Sequence, residues 1–441
     1  MASTIFFLYK TPFRLYDDLD DCNCGKTRTS PSTPLENISI GEALMSCRPV
    51  IIGCSALPVG RHQTPSNAEV HVVEHELLAR LVVEAMADSG AERERVGAIV
   101  VAQPRPYTRQ QYFSTFMTSY LRIPCDGIVM EVLGNGLTGA LAFDKALDEV
   151  ALGRTEVALA LGINMETAIS ARDHMMESMR KTGDVDFHAP AGFTPISWYA
   201  LDMQRYMFEY GVSRSEVASV AVKNRGHAAH NPLAQFRKPI TLEEVLAQRS
   251  IVEPLGLYEV PPRGDGAACV VISSEQYARR RGLSYVIIRS RAFHHEGVHQ
   301  IGDVPADMIG FTAAATAAAA GFEAAGLGPD AVDLAELYAP CTIVEVLASE
   351  AAGFFPKGLG AHAAATGMTS LGGKIPIGTS GGLTSRGHPS YATPLYSVVE
   401  LFDQLRGRAG PRQVDSARIG FLMNELGNYN AALVHVLEAA K

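Results

Sequence analysis

The amino-acid sequence predicts an α/β fold built on a largely parallel sheet. Uniformly apolar runs of strand length alternate with amphipathic runs of helix length, first between Arg48 and Gly162 and again from Ser284 to Val436. The strand runs lack polar alternation, so each is covered on both faces, as crossover helices cover a parallel sheet. The two stretches share an element order, which predicts an internal duplication rather than a short-period repeat.

Arg48–Leu57 is a buried-strand pattern, and Glu74–Ser89 follows as a helix with apolar residues at Leu77, Leu78, Leu81, Val82 and Ala85. Val96–Ala102 and Ile128–Val132 are the next strands. The second of these breaks into a glycine-rich turn, Gly134–Gly139, then a helix to about Gly153 and a strand over Glu156–Gly162. Residues 165–200 interrupt the rhythm: Met175, Met176, Met179, Arg180 and Lys181 fall in a mixed polar loop that reads as a cap over a cleft. Helices resume at Tyr199–Tyr210 and Arg214–His227, and Gly266–Ser273 is another apolar strand. The second half runs strand Tyr285–Ser290, alanine-rich helix Thr312–Ala325, strand Asp333–Leu337 and helix Cys341–Ala352. It closes with helix Thr393–Arg406 and strands Ala417–Met423 and Ala431–Val436. The halves are therefore 46–280 and 281–441. Residues 1 to about 45 differ from both, with acidic Asp17, Asp18, Asp20 and Asp21 and a Ser/Thr/Pro-rich stretch. They read as a tail outside the fold, or as an upstream extension of the reading frame, because Met45 closely precedes the first strand.

Composition narrows the function. The 441 residues carry a formal charge of −9 and are 47% hydrophobic. An acidic chain lacks the basic face that nucleic acid requires. No apolar run reaches the roughly 18 residues of a membrane-spanning helix. Seven scattered cysteines do not make a disulfide framework and point to a reducing cytoplasm. Cys22 and Cys24 have no second pair to complete a zinc site. His294, His295 and His299 have no supporting carboxylate or cysteine pattern, so no metal is expected.

Several blocks stand in a telling order. Ala221-Val222-Lys223-Asn224-Arg225-Gly226-His227-Ala228 is followed by Asn231-Pro232-Leu233-Ala234-Gln235, then Pro239-Ile240-Thr241, Pro254-Leu255 and Asp265-Gly266-Ala267-Ala268. Further on stands Gly381-Gly382-Leu383-Thr384-Ser385-Arg386-Gly387-His388-Pro389. Over about residues 46–441 these blocks resemble the thiolase superfamily, in the branch related to the thiolase part of sterol carrier protein x. The resemblance implies a thiolase-like, five-layer duplicated α-β-α-β-α fold. It implies a CoA thioester as substrate, with no bound cofactor, and a homodimer paired through the N-terminal sheet. Members of the branch often need a small OB-fold/zinc-ribbon partner, which would make a heterotetramer.

Departures from the thiolase pattern carry the functional expectation. Leu133 stands at the strand-to-helix turn where thiolases place the acyl-accepting cysteine. Asn424–Asn430 lacks the second, acid/base cysteine, and Tyr338-Ala339-Pro340-Cys341-Thr342 replaces a further catalytic motif. Claisen chemistry needs a nucleophile to hold the acyl group. The lipid-transfer-protein-type aldolases of steroid side-chain degradation share this profile; they cleave β-hydroxyacyl-CoAs by retro-aldol reaction and use tyrosines. Their tyrosines match Tyr338, followed by Thr342, and Tyr258, before the Asp265-Gly266-Ala267-Ala268 block, although Ala339-Pro340 follows Tyr338 where the aldolases carry an acidic residue. The resemblance therefore implies Tyr258 as base on the hydroxyl and Tyr338 as proton donor to the enolate carbon. His388 and the backbone N–H groups of Gly134, Asn135 and Gly136 would hold the enolate oxygen, with Asn428 or Asn430 as a further donor. Such donors contribute about 3–4 kcal/mol each. Arg172, Arg180 and Lys181 are candidates for CoA phosphates.

Each assignment has a structural rival. Tyrosines flanking buried elements are often core residues with satisfied hydroxyls, His388 can serve a turn, and the cap cations can be solvated. Cys125 and Cys341 read as buried small hydrophobes. The competing functions are a catalytically inert scaffold or acyl-CoA/lipid-binding subunit, and acyl transfer through another nucleophile.

Overall fold

The computed structural model describes residues 48–62, 74–104, 110–296, 307–426 and 430–440. The expected tail, 1–45, lies outside them. The strands are β1 (Pro49–Ala56), β2 (Val96–Ala102), β3 (Val129–Val132), β4 (Val157–Met165), short β5 (Ser250–Val252) and β6 (Leu255–Gly256), β7 (Asp265–Ser274), β8 (Val286–His295), β9 (Leu334–Leu337), β10 (Ile419–Glu425) and β11 (Ala431–Ala439). Those in the main sheet run β3-β2-β4-β7-β1-β8-β11-β10-β9. Its two halves join where Val50 pairs with Ile287 and Ile51 with Val286.

The principal helices are α1 (Glu74–Ser89), α2 (Phe113–Leu121), α3 (Thr138–Ala151), α4 (Ala171–Glu177), α5 (Pro195–Tyr210), α6 (Arg214–Ala229), α7 (Thr312–Ala325), α8 (Thr342–Ala351) and α9 (Thr393–Leu405). They stack in three layers around the two half-sheets. Leu78, Leu81 and Val82 of α1 and Phe113 of α2 cover one face of the first half-sheet at Ile99, Val101 and Val271. Alternate residues Val100, Ala160 and Val270 point the other way, into a central layer formed by Phe143 and Leu147 of α3 and Leu395 and Phe402 of α9. Leu334, Leu422 and Leu437 of the second half-sheet meet the same layer. Beyond it, Phe421 and Val434 pack on Ala314 and Ala318 of α7 and Ile343 of α8. The order helices–sheet–helices–sheet–helices is the α/β arrangement expected from the resemblance.

The sheet is not largely parallel, as the strand patterns predict. β2–β3, β2–β4 and β9–β10 are parallel, but β4–β7, β1–β7, β1–β8, β8–β11 and β10–β11 are antiparallel. A strand buried on both faces is uniformly apolar whichever way its neighbours run, so burial was legible and direction was not. Among the described residues, no helix is long and apolar enough to cross a membrane.

Local signals set the helices that later meet the cavity. α5 begins at Pro195, four residues before the expected Tyr199. Thr194 caps it and Pro195, whose missing N–H costs nothing in the first turn, starts it. α6 is opened by a capping box in which the Glu216 N–H donates to Ser213 Oγ and the Ser213 N–H donates to Glu216 Oε2. The expected cap loop contains a two-turn helix, α4, capped by Ser170 Oγ accepting from the Asp173 N–H at 3.1 Å.

Candidate active site

A cavity of about 270 Å³ opens beneath α4. Its lining includes Tyr338, just past β9, and His388, from the glycine-rich loop before α9. Tyr338 is 7% exposed, and its backbone N–H donates to the Met423 carbonyl at 2.8 Å, which fixes it beside β10. Its hydroxyl lies 3.4 Å from His388 Nε2, and the two rings meet edge-on, centroids 5.6 Å apart. His388 Nδ1 lies 2.8 Å from Thr393 Oγ1. Both partners are hydroxyls, so the contacts suit either tautomer: with the proton on Nε2, His388 donates to the Tyr338 oxygen and accepts from Thr393, and with it on Nδ1 both directions reverse.

The loop presenting His388 is tightly held. Gly387 has φ of 106°, and a Cβ there would come 2.5 Å from Val59 Cγ1, so this position requires glycine. Below it, buried Arg386 pairs with buried Glu336 at 3.5 Å and donates to Ser380 and Ser397. Glu336 also accepts from the Ser380 N–H and hydroxyl. Burial pushes the Glu336 carboxyl up and the Arg386 guanidinium down from their ordinary values.

The glycine-rich turn forms another wall, but not as expected. β3 ends at Val132, and Leu133 is 59% exposed and does not line the cavity. The turn presents Asn135 and Gly136 instead. Asn135 adopts φ of 46°, a left-handed conformation that asparagine tolerates better than most residues. A Cβ on Gly136 would fall 2.6 Å from the Glu425 carbonyl oxygen and 2.9 Å from that of Leu426. Gly136 therefore has no room for a side chain, although Asn135 beside it also lines the cavity. Two of the three expected backbone oxyanion donors are engaged: the Gly134 N–H donates to Thr138 Oγ1 and the Gly136 N–H to the Leu426 carbonyl, each at 3.0 Å.

Tyr258 is placed elsewhere. It is half-buried against Ala218, Ala221 and Val245, and its ring centroid lies 5.6 Å from the Arg225 guanidinium. It does not line the cavity with Tyr338 and His388. Its position near the Asp265 block in sequence did not reveal that β6 turns it toward α6. Asn430 is buried beside β11 and its carbonyl accepts from the Glu296 N–H at 2.9 Å, away from the cavity lining. Asn428 lies outside the described residues. Lys181 pairs with Glu177 at 2.7 Å, Arg180 reaches Met176 Sδ, and Arg172 is exposed on α4; none of the three lines the cavity. Cys341 is fully buried, and burial first, then nearby Glu259, pushes its thiol well up, so it is no thiolate nucleophile. His294 and His295 lie in β8 and His299 lies outside the described residues.

Three lining residues were missed by sequence reasoning. Tyr199 of α5 is buried, and burial followed by the charge of Glu425 raises its phenol far above the usual range, which keeps it a neutral hydroxyl. Glu166, at the end of β4, and His174, on α4, face each other with Oε2 and Nε2 2.6 Å apart. The signal for Glu166 was a carboxylate closing an otherwise apolar strand.

Sequence comparison adds to this geometry. Residues 49–276 match the model of the thiolase N-terminal domain, and residues 292–439 match that of the thiolase C-terminal domain-like family. The chain belongs to the thiolase superfamily. It is 31% identical over 381 residues to an acetyl-CoA acetyltransferase of Methanothermobacter thermautotrophicus, covering 86% of this chain and 98% of that protein. Sterol carrier protein 2 of Rattus norvegicus is 32% identical over 324 residues, which span 69% of this chain and 57% of that protein. This thiolase-superfamily chain also superposes on the solved structure titled Ltp2-ChsH2(DUF35) aldolase with a TM-score of 0.72 at 24% identity, covering 90% of this chain and 98% of that one. The chain is thus similar to sterol carrier protein 2, spanning a little over half of that protein, and shares its fold with the aldolase.

Proposed function

We propose that this chain cleaves a β-hydroxyacyl-CoA by retro-aldol reaction into a carbonyl product and a shorter acyl-CoA, with no acyl-cysteine. One observation carries the proposal: Tyr338 and His388 meet in a cavity whose helix-entry turn presents Gly136, where no side-chain nucleophile fits. Covalent acyl transfer needs a nucleophile; retro-aldol cleavage needs only proton transfers and a held enolate. Tyr338 would protonate the enolate carbon as His388 polarises its hydroxyl. The neutral Tyr199 hydroxyl and the Asn135 amide are the donors suited to the thioester oxygen.

Met175, Met179, Ile196 and Leu426 give the cavity an apolar side suited to a bulky acyl group, a steroid side chain among them. The three cap cations Arg172, Arg180 and Lys181, outside the cavity lining, are the candidates for a CoA phosphate. The fold likeness to a structure titled as an aldolase with a DUF35 partner supports testing the chain as a homodimer with an OB-fold/zinc-ribbon partner. The test supplies β-hydroxyacyl-CoAs with tertiary or steroid β-carbons to the chain, with and without such a partner. Release of a ketone or aldehyde with a shorter acyl-CoA is expected. Tight thioester binding without turnover would replace this reading with that of an acyl-CoA-binding subunit, which the placement of Tyr258 outside the cavity favours.

A further inference from the structure

We propose that His174, held by Glu166, is the catalytic base that removes the β-hydroxyl proton, the role for which Tyr258 is out of place; this rests on the retro-aldol reading. Both side chains line the same cavity as Tyr338 and His388. His174 is 8% exposed and Glu166 is 2% exposed. His174 Nε2 lies 2.6 Å from Glu166 Oε2. A carboxylate this close to Nε2 favours the proton on that nitrogen, which leaves the Nδ1 lone pair as the basic face. This is the tautomer and orientation logic of a carboxylate-supported histidine base.

Glu166 is itself braced from three sides. Asn164 Nδ2 donates to its Oε1 at 2.9 Å. Arg263 Nη2 donates to its backbone carbonyl at 2.5 Å and to that of Ile169 at 2.7 Å, pinning the start of the cap. The next residue, Thr167, donates through its N–H and hydroxyl to buried Asp265 on β7. The carboxylate is thus fixed to the sheet while its histidine rides on α4.

The step balances without any co-reactant. His174 Nδ1 takes the hydroxyl proton, the C–O bond becomes C=O, and the Cα–Cβ bond breaks. Its electron pair becomes the thioester enolate, which takes a proton at Cα from Tyr338. Solvent then removes the proton from His174 and returns one to Tyr338.

The test uses the full chain, with and without an OB-fold/zinc-ribbon protein, comparing wild type, Tyr338→Phe, His174→Ala, His174→Gln and Glu166→Gln on a β-hydroxyacyl-CoA, with folding followed by thermal melting. His174→Ala is expected to lose about 100-fold or more in kcat with KM nearly unchanged, as for removal of a general base. Added imidazole is expected to restore part of that loss, and Glu166→Gln to lose less than His174→Ala. A His174→Ala protein that cleaves at the wild-type rate overturns the assignment, as does a loss confined to KM or one that imidazole does not relieve. Wild type that cleaves nothing sinks the retro-aldol reading and this assignment together, a result distinct from failure of the His174 variants alone.

Discussion

Two walls of one cavity are built in opposite ways. The turn between β3 and α3 keeps its shape yet offers glycine, with Gly136 packed against the Glu425 and Leu426 carbonyls. The wall formed by Tyr338 and His388 is polar and built on a loop that accepts no Cβ at Gly387. One wall is shaped by backbone closeness, the other by side-chain chemistry. The contrast shows that one wall limits the chemistry by packing while the other supplies it by side-chain type.

The largest expected effect lies on the polar wall. Tyr338→Phe should lower kcat for retro-aldol cleavage by about 10²–10⁴-fold, measured by steady-state release of the shorter acyl-CoA, with an unchanged melting curve. An equal loss of melting temperature would assign Tyr338 to the core instead. On the closed wall the expected effect is on folding. Gly136→Ala should destabilise the chain by about 1–3 kcal/mol, the usual cost of overpacking, read from urea denaturation midpoints.

Acid should weaken the support of the polar wall. His227 on α6 accepts the Leu371 N–H at Nε2 (3.1 Å), and its Nδ1 lies 3.0 Å from the Gly378 carbonyl, ahead of the His388 loop. Burial, then the charge of Lys223, lowers its pKa from the ordinary 6.5 to about 3. The unfolded chain therefore binds the extra proton first. The His227 contribution is present above about pH 6.5 and is lost as pH falls toward 3, at up to about 1.4 kcal/mol per pH unit. Denaturation midpoints taken across that range should show the slope, and His227→Gln should flatten it.

The smallest effects are expected outside both walls. Tyr258→Phe should change kcat/KM by less than about threefold; a loss like that of Tyr338→Phe would bring Tyr258 back into the reaction. Leu133→Cys should react with a thiol reagent yet form no acyl-enzyme, detectable by intact mass after incubation with an acyl-CoA.

Much of the scaffold was legible. Glu74–Ser89, Val96–Ala102 and Thr312–Ala325 form the elements their patterns predict, because apolar spacing reports the buried face directly. Tyr338 and His388 were legible as motif residues, and the structure brings them together. Leu133 is exposed and outside the cavity lining, where Asn135 and Gly136 stand, because the register of a strand-to-helix turn is not readable from an apolar pattern. His174 was hidden because α4 is too short to show a helical period, and its partner Glu166 comes from another element.

The sequence by itself determined the layers, the thiolase likeness and the lack of a cysteine at the turn, since these depend on residue type and order along the chain. Only the tertiary structure decided strand direction, the exclusion of any side chain at Gly136, the separation of Tyr258 from the cavity and the pairing of His174 with Glu166. Each of these depends on distances between segments far apart in the chain, which local propensity and spacing do not encode.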